Sequence, residues 1–551
     1  MVAGANPGQA LTGGRAATDT NSRMRSHSKN STPLTTFRMP FVIFLLFSVS
    51  LALGRASAAD SRPNVIVILA DDLGYGDPGC YNPQSKIPTP HIDRLAAEGI
   101  RFTDAHTPSA VCTPTRYGLM TGRYAWRTWL KSGVLDGFDP PLIEADRVTL
   151  ASFLKAQGFA TACIGKWHLG MTWTGDDGKP VAYRGNPTSG FRPGSDVDFS
   201  RPIEGGPRDR GFDLFFGIAA SLDMSPYSFI EDRRTLPPPR LAAPESKTLF
   251  LNQAAGVRSE GFTLEGVLPA LKQRAQDFIR SRAGKAEPFL LYLPLSSPHL
   301  PIVPNGDWIG KSAAGLYGDF VAETDGVVGD ILRALDAAKL RDNTLVIFTS
   351  DNGGLWHRWE AEEADDVAGY KSTPRGNYTG ERAHRSNAAL RGTKADIHEG
   401  GHRVPFIVRW PGRVRAGGTS AALVELNDVF ATVAEITRVP LPSGVAGDSF
   451  SFLPEITGSK PATPVRTFAV HHSLTGVFAL REGPWKFVPA RGSGGFSLPR
   501  TVSAKAGEPI GQLYHLGDDP GETRNVWMQH PRVVKRMAEK LAAVQMATQT
   551  R

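Results

Sequence analysis

Four runs of consecutive apolar, largely β-branched residues punctuate the chain: Asn64–Ala70 (NVIVILA), 159–164 (FATACI), 289–293 (FLLYL) and 345–349 (LVIFT). Runs without polar alternation predict strands buried on both faces. Between them the spacing turns helical. Ile92, Leu95 and Ala96 mark a short helix stopped by Gly99. Val148, Leu150, Phe153 and Leu154 mark another, stopped by Gly158. Leu268, Leu271, Ala275, Phe278 and Ile279 form a third, and Phe320, Val321, Val328, Ile331, Leu332 and Leu335 lie on one face of a fourth. Residues 406–410 read as a further strand and 424–436 as a helix. This order predicts an α/β fold: a large, mostly parallel central sheet sandwiched by helices, with right-handed crossovers.

Past 440–444 (PLPSG) the pattern changes. Residues 477–480 and 485–488 alternate around Glu482-Gly483-Pro484, 513–516 continue them, and an amphipathic helix carrying Val533, Val534, Met537, Leu541 and Val544 closes the chain. The expected organisation is therefore 60–445 as the main domain and 446–551 as a small α+β subdomain with an antiparallel sheet. Residues 171–262 are rich in Gly, Pro and Asp and read as long loop excursions. Their polar-aromatic clusters, 211–213 and 221–227, are expected to be ordinary loop packing rather than a sugar pocket. A polar insertion, 355–388, carries Trp356, His357, Tyr370, His384 and Asn387.

The buried runs end in charged or hydrogen-bonding groups: Asp71-Asp72, Lys166 with His168, His299, and Asp351-Asn352. Ligands of open parallel sheets bind beyond the carboxyl ends of the strands. Adjacent carboxylates there are costly unless paired, and a divalent cation is the simplest partner; a helix cap in a surface turn is the alternative. Asp71, Asp72, Asp351 and Asn352 offer only oxygen, which suits Ca²⁺ or Mg²⁺ rather than zinc. Lys166 and His168, two apart, are expected to point the same way in extended backbone.

Residues 109–116 (SAVCTPTR) contain C-x-P-x-R. Pro114 fits the first turn of a helix, which places Cys112 at its N-terminus and Arg116 on the same face.

The net charge of +8 invites a nucleic-acid partner, but residues 1–59 carry six basic residues against one acid, leaving +3 for the remainder with no basic run. Nucleic-acid binding is therefore not expected. That leading segment has a basic stretch, an apolar run at 41–53 too short for a comfortable span, and small residues at 56–58. It reads as a signal peptide (1–59) cleaved near Ala58-Ala59, giving an exported periplasmic or secreted protein. An uncleaved anchor is the alternative. Three cysteines are too few for a disulfide framework, and Cys80 and Cys163 are expected to be buried free thiols.

C-x-P-x-R followed by Leu119-Met120-Thr121-Gly122-Arg123 resembles the signature of the sulfatases, the arylsulfatase branch of the alkaline phosphatase superfamily; the family form has Ser where this chain has Thr115. The resemblance runs over roughly residues 62–545, including L-Y-x-L-x-x-D-P-x-E-x-x-N from Leu513 to Asn525. It implies an alkaline phosphatase-like fold and oxidation of Cys112 to formylglycine by a formylglycine-generating enzyme or equivalent maturase. It also implies one Ca²⁺ held by Asp71, Asp72, Asp351 and Asn352 with the group at Cys112. Arg116, Lys166 and Lys394 would neutralise the sulfate, His299 with Lys394 would assist the leaving alcohol, and His168 would accept the proton that releases sulfate. The overall pattern is similar to the arylsulfatase A and N-acetylgalactosamine-6-sulfatase types, which implies a sulfated carbohydrate substrate, with 6-sulfated galactose or N-acetylgalactosamine as first choice. The competing readings are a phosphomonoesterase or phosphodiesterase of the same superfamily and a non-catalytic glycan-binding protein.

Overall fold

A computed structural model describes residues 62–181, 196–247, 251–355, 384–459 and 464–551. The signal-like segment and Trp356, His357 and Tyr370 of the insertion lie outside these. Residues Arg62–Arg551 form one compact unit.

Its centre is a ten-stranded sheet. Strand Asn64–Ala70 lies between Phe289–Pro294 and Thr344–Ser350, parallel to both, and the parallel run continues through Ala160–Lys166 to Leu214–Ile218. Every residue of Asn64–Ala70 is buried, as its unbroken apolar run requires. Alternate side chains enter two cores. Val65, Val67 and Leu69 pack with helices Cys112–Thr121, Leu150–Lys155 and Asp428–Ile436; Ile66, Ile68 and Ala70 pack with Pro90–Ala97, Val267–Ser281 and Gly315–Ala337. The helix-covered α/β sheet read from the sequence is the observed one.

Several details differ. The excursion 171–262 contains Leu214–Ile218, a strand of the main sheet, extended by the antiparallel strands Phe229–Glu231 and Arg234–Leu236. At five residues beside glycine, this strand is too short for its pattern to stand out. Phe406–Arg409 joins the sheet antiparallel, next to the three-residue strand Ile100–Phe102. Residues 424–436 divide into a two-residue strand, Val424–Glu425, and helix Asp428–Ile436. Helix Gly315–Ala337 is buried on nearly all sides instead of one face, because Pro90–Ala97 and Val267–Ser281 both pack on it.

The C-terminal sheet is antiparallel in the order Phe468–His472, Phe478–Glu482, Trp485–Val488, Gln512–His515, with helix Pro531–Met546 packed through Met537, Leu541 and Val544. Buried Arg466 binds Asp428 at 2.6 Å and Glu425 at 2.8 Å across the expected 445/446 boundary. The cysteines are free: Cys163 is buried, while Cys80 is only partly so. Among the described residues no helix is long and apolar enough to cross a membrane.

The sheet closes most tightly around Gly165, one residue before Lys166. Its φ is +144°, and a Cβ there would stand 1.8 Å from the Pro294 carbonyl oxygen. Gly165→Ala is expected to lower stability by about 2 kcal/mol or more, since overpacking and backbone strain combine. Urea unfolding measures this, and an unchanged midpoint would contradict the packing described.

Candidate active site

Helix Cys112–Thr121 begins at Cys112, after Val111 in extended conformation, and ends on left-handed Gly122. Pro114 sits in its first turn, where no intrahelical N–H is missed. All ten residues are buried. The Thr115 hydroxyl donates to the Ser109 carbonyl at 3.0 Å. A serine hydroxyl could make the same bond, so the departure from the family form keeps its function.

Arg116, fully buried, is the hub. Its Nε and one terminal nitrogen both donate to Asp351 Oδ2, at 3.0 and 2.7 Å; the other terminal nitrogen donates to the Lys166 carbonyl at 2.8 Å. Asp71 Oδ2 accepts from Lys166 Nζ at 2.7 Å, and Asp71 Oδ1 lies 3.5 Å from Arg116. Asp72 accepts from Asn352 Nδ2 at 2.7 Å and Lys394 Nζ at 2.9 Å, and His299 Nε2 stands 3.7 Å away. Three carboxylates thus meet three cationic side chains in the protein interior, and lysine and arginine supply the pairing among the described residues.

The backbone is bent to make this possible. Asp72 has φ +67°, and its N–H donates to Asp351 Oδ1 at 3.2 Å. His168 has φ +54°, so the strand stops at Lys166. The shared orientation expected of Lys166 and His168 from extended backbone therefore does not apply; the chain turns instead. His299 lies five residues beyond its strand.

Two buried oxygens, Asp71 Oδ1 and Asn352 Oδ1, have no hydrogen-bond partner among the described residues. Asp71, Asp72 and His299 each bring a potential ligand atom within 4.8 Å of the others. Unsatisfied oxygens among carboxylates fit a hard cation such as Ca²⁺.

Electrostatics separate the groups. Burial pushes the Asp71 carboxyl up, but Lys166, His299, Arg116 and Lys394 outweigh it and hold Asp71 well below the usual range. Burial and then the Asp71 charge raise Asp351 to about 7, against Arg116. Asp72 and Asp71 keep Lys394 protonated despite its burial. Burial pushes the Cys112 thiol up to about 11, against Lys166 and Lys394, so an unmodified Cys112 is a neutral thiol at pH 7. The helix N-terminus does not make it a thiolate.

Burial, Lys166 and Arg116 hold His168 well below its ordinary value. Its Nε2 stands 2.7 Å from the Leu135 carbonyl, which can only accept. Nε2 therefore carries the proton, and buried Nδ1, without a partner among the described residues, presents a lone pair. His299 Nδ1 likewise donates to the Leu300 carbonyl at 2.5 Å, leaving Nε2 as its exchanging nitrogen.

All the sequence-derived candidates thus converge: Asp71, Asp72, Arg116, Lys166, Lys394, Asp351 and Asn352 by direct bonds, Cys112, His168 and His299 through the charges they share. Sequence reading missed Leu135, which orients His168 through a carbonyl and so has no side-chain signature. It also missed Asp77, which accepts from Gly74 N–H and Tyr317 hydroxyl at 2.7 and 2.5 Å and pairs with His384 at 2.7 Å, bracing the Asp71–Asp72 loop. Asp77 stood in the D-D-L-G-Y-G-D string and could have been singled out. The loop clusters behave as packing: Phe212 is buried, and Asp213 pairs with Lys155 at 2.7 Å.

The family model "Sulfatase" matches residues 63–439. An N-acetylgalactosamine-6-O-sulfatase of Bacteroides thetaiotaomicron is 33% identical over 517 residues, covering 88% of this chain and 93% of that protein. Bovine arylsulfatase A is 30% identical over 502 residues, covering 87% and 86%. A solved structure from a study of glycosaminoglycan metabolism by Bacteroides thetaiotaomicron superposes with a TM-score of 0.72 at 31% identity, covering 89% of this chain and all of that one. The chain belongs to the sulfatase family, the sulfuric ester hydrolases.

Proposed function

We propose that this sulfatase removes sulfate from a sulfated sugar, through formylglycine made from Cys112 and one bound Ca²⁺. The observation that carries the reading is the convergence on the Cys112 helix start of three paired carboxylates and three cations, with two buried oxygens left unsatisfied. The relatives supply the substrate class: one is named for 6-O-desulfation of N-acetylgalactosamine. A 6-sulfated galactose or N-acetylgalactosamine is the first choice.

A sulfate ester gains charge on its oxygens as the S–O bond breaks. Arg116, Lys166 and Lys394 are fixed cations in a largely buried site, where such charge is stabilised most strongly. Ca²⁺ on Asp71, Asp72, Asp351 and Asn352 would supply further Lewis-acid stabilisation. A hydrated aldehyde at position 112 would supply one hydroxyl to attack sulfur and a second through which the adduct collapses. Nucleophilic attack by Cys112 itself is disfavoured, because its thiol stays protonated. His168, neutral with a free lone pair, suits the proton acceptor for collapse; His299 Nε2 suits the donor to the leaving alcohol, with Lys394 beside it through Asp72. The phosphatase alternative is not favoured: the matching family model and the curated relatives are sulfatases.

The peptide spanning Cys112 in active enzyme should be lighter by about 18 Da than its thiol form, and Cys112→Ala should lose turnover by at least about 10³-fold while keeping the fold; full activity with an intact thiol would refute the nucleophile. Metal analysis should find one Ca²⁺ per chain, lost in Asp351→Ala, whereas two zinc ions would move the protein to the phosphatases. His299→Ala should slow sugar sulfates by about 10²- to 10⁴-fold but spare an activated aryl sulfate. His168→Ala should instead release about one equivalent of alcohol and stall as a sulfated enzyme. Equal loss on both substrates in both variants, without an adduct, would contradict this division.

A further inference from the structure

Behind the nucleophile loop lies a second cluster that the reaction does not use. His106, His402 and His471 are all fully buried. They come from strand Ala105–His106, the short helix Glu399–His402 and strand Phe468–His472. Ligand atoms of the three fall within 4.8 Å of one another, which invites a metal. Two facts exclude one. The His402 and His471 rings stack at 4.0 Å with planes 10° apart, so no ion can lie in both ring planes. Lys486 Nζ stands 2.9 Å from His402 Nε2 and repels a cation.

The shorter of two contacts at His402 Nε2 selects one neutral arrangement. Lys486 Nζ, at 2.9 Å, can only donate, and with Nε2 accepting from it His402 Nδ1 carries the proton. The Ile397 carbonyl, at 3.2 Å from the same Nε2, can only accept and favours the other tautomer, and Glu399 lies 3.8 Å away. His402 Nδ1 then donates to His106 Nδ1 at 3.0 Å, and His106 Nε2 donates to Asp104 at 3.0 Å. His471 Nδ1 donates to the Thr107 carbonyl at 2.9 Å, leaving its Nε2 buried without a partner among the described residues. The surroundings are already balanced. Lys486 pairs with Glu399 and Glu522, at 3.1 and 2.9 Å; Arg403 and Arg481 pair with Asp104, at 3.7 and 3.2 Å, and face Glu399; Arg466 pairs with Glu425, which lies 3.6 Å from His471. Among the described residues each acid beside the rings is thus already paired, Glu425 included, and burial raises Glu425 to about 8.

The same residues hold the nucleophile loop. The His402 carbonyl accepts from Thr107 N–H at 2.8 Å. The carbonyl of His472, next to His471, accepts from Ala110 N–H at 2.9 Å and the Ser109 hydroxyl at 3.2 Å. Ala395 N–H, beside Lys394, donates to the Ala110 carbonyl at 2.8 Å. We propose that the stacked histidines His402 and His471 are an acid-sensitive latch: assembled while these two rings are neutral, it holds residues 107–110 and therefore Cys112 in place, and their protonation releases the strand and the loop together. Asp104 lines an open cleft of about 1150 Å³ with Arg415, Arg466 and Arg481, which brings solvent protons to the end of the chain at His106.

Burial, the neighbouring imidazoles and Lys486 hold His402 and His471 well below their ordinary value. An unfolded chain takes up these protons near pH 6.5 and the latched one does not. The latch is therefore fully stabilising above that pH and weakens as pH falls below it.

Hydrogen exchange of the intact protein between pH 7.5 and 5, corrected for the intrinsic rate, tests this. Amides of Thr107 and Ala110 should lose protection below about pH 6.5, before strand Asn64–Ala70 does. In the double variant His402→Gln/His471→Phe the onset should move down by about one pH unit or more. Protection at 107–110 that persists until the whole sheet opens, in the native protein alone, would overturn the latch. So would an unchanged onset in a folded variant, or a rise in melting temperature on adding Zn²⁺ alone.

Discussion

The site depends on one buried arginine. Arg116 is fixed by two bonds to Asp351 and one to the Lys166 carbonyl, so it joins the Cys112 helix to the ends of two parallel strands. Burying a guanidinium is tolerable only when a carboxylate is in contact and its nitrogens are held by hydrogen bonds. Once Asp351 is committed to Arg116, Asp71 needs Lys166 and Asp72 needs Lys394, and the network closes with each charge matched. Removing any member would leave an unpaired buried charge, so the arrangement that suits sulfate also contributes to stability.

That network rests on the sheet. Asp351 N–H donates to the Ala70 carbonyl at 3.1 Å, and Asp71 N–H to the Ser297 carbonyl at 2.9 Å, which levels the strand ends against each other. The smaller sheet adds the opposite wall. Its first strand binds residues 108–110 directly, and Leu474 N–H donates to the Ala395 carbonyl at 2.9 Å. The C-terminal sheet therefore takes part in placing both Cys112 and Lys394.

Much of this was legible in sequence because burial on both faces leaves an unmistakable trace. The unbroken runs at Asn64–Ala70 and Thr344–Ser350 announced central strands, and charged residues directly after them had no ordinary reason to be there. C-x-P-x-R showed its helix start through Pro114. What escaped was encoded elsewhere. Leu214–Ile218 was too short to show a period. The turn at His168 depends on a left-handed φ that no side chain signals. Leu135 acts through its backbone. The histidine latch draws on residues 106, 402 and 471, and only the fold brings them together.

The central claim is that attack falls on sulfur, so that the S–O bond of the ester breaks and solvent oxygen ends in the sulfate. Hydrolysis of a sulfated sugar in ¹⁸O-labelled water tests it most directly. The account predicts label in the released sulfate and none in the sugar hydroxyl. Label in the sugar would mean cleavage of the C–O bond of the ester and would contradict it.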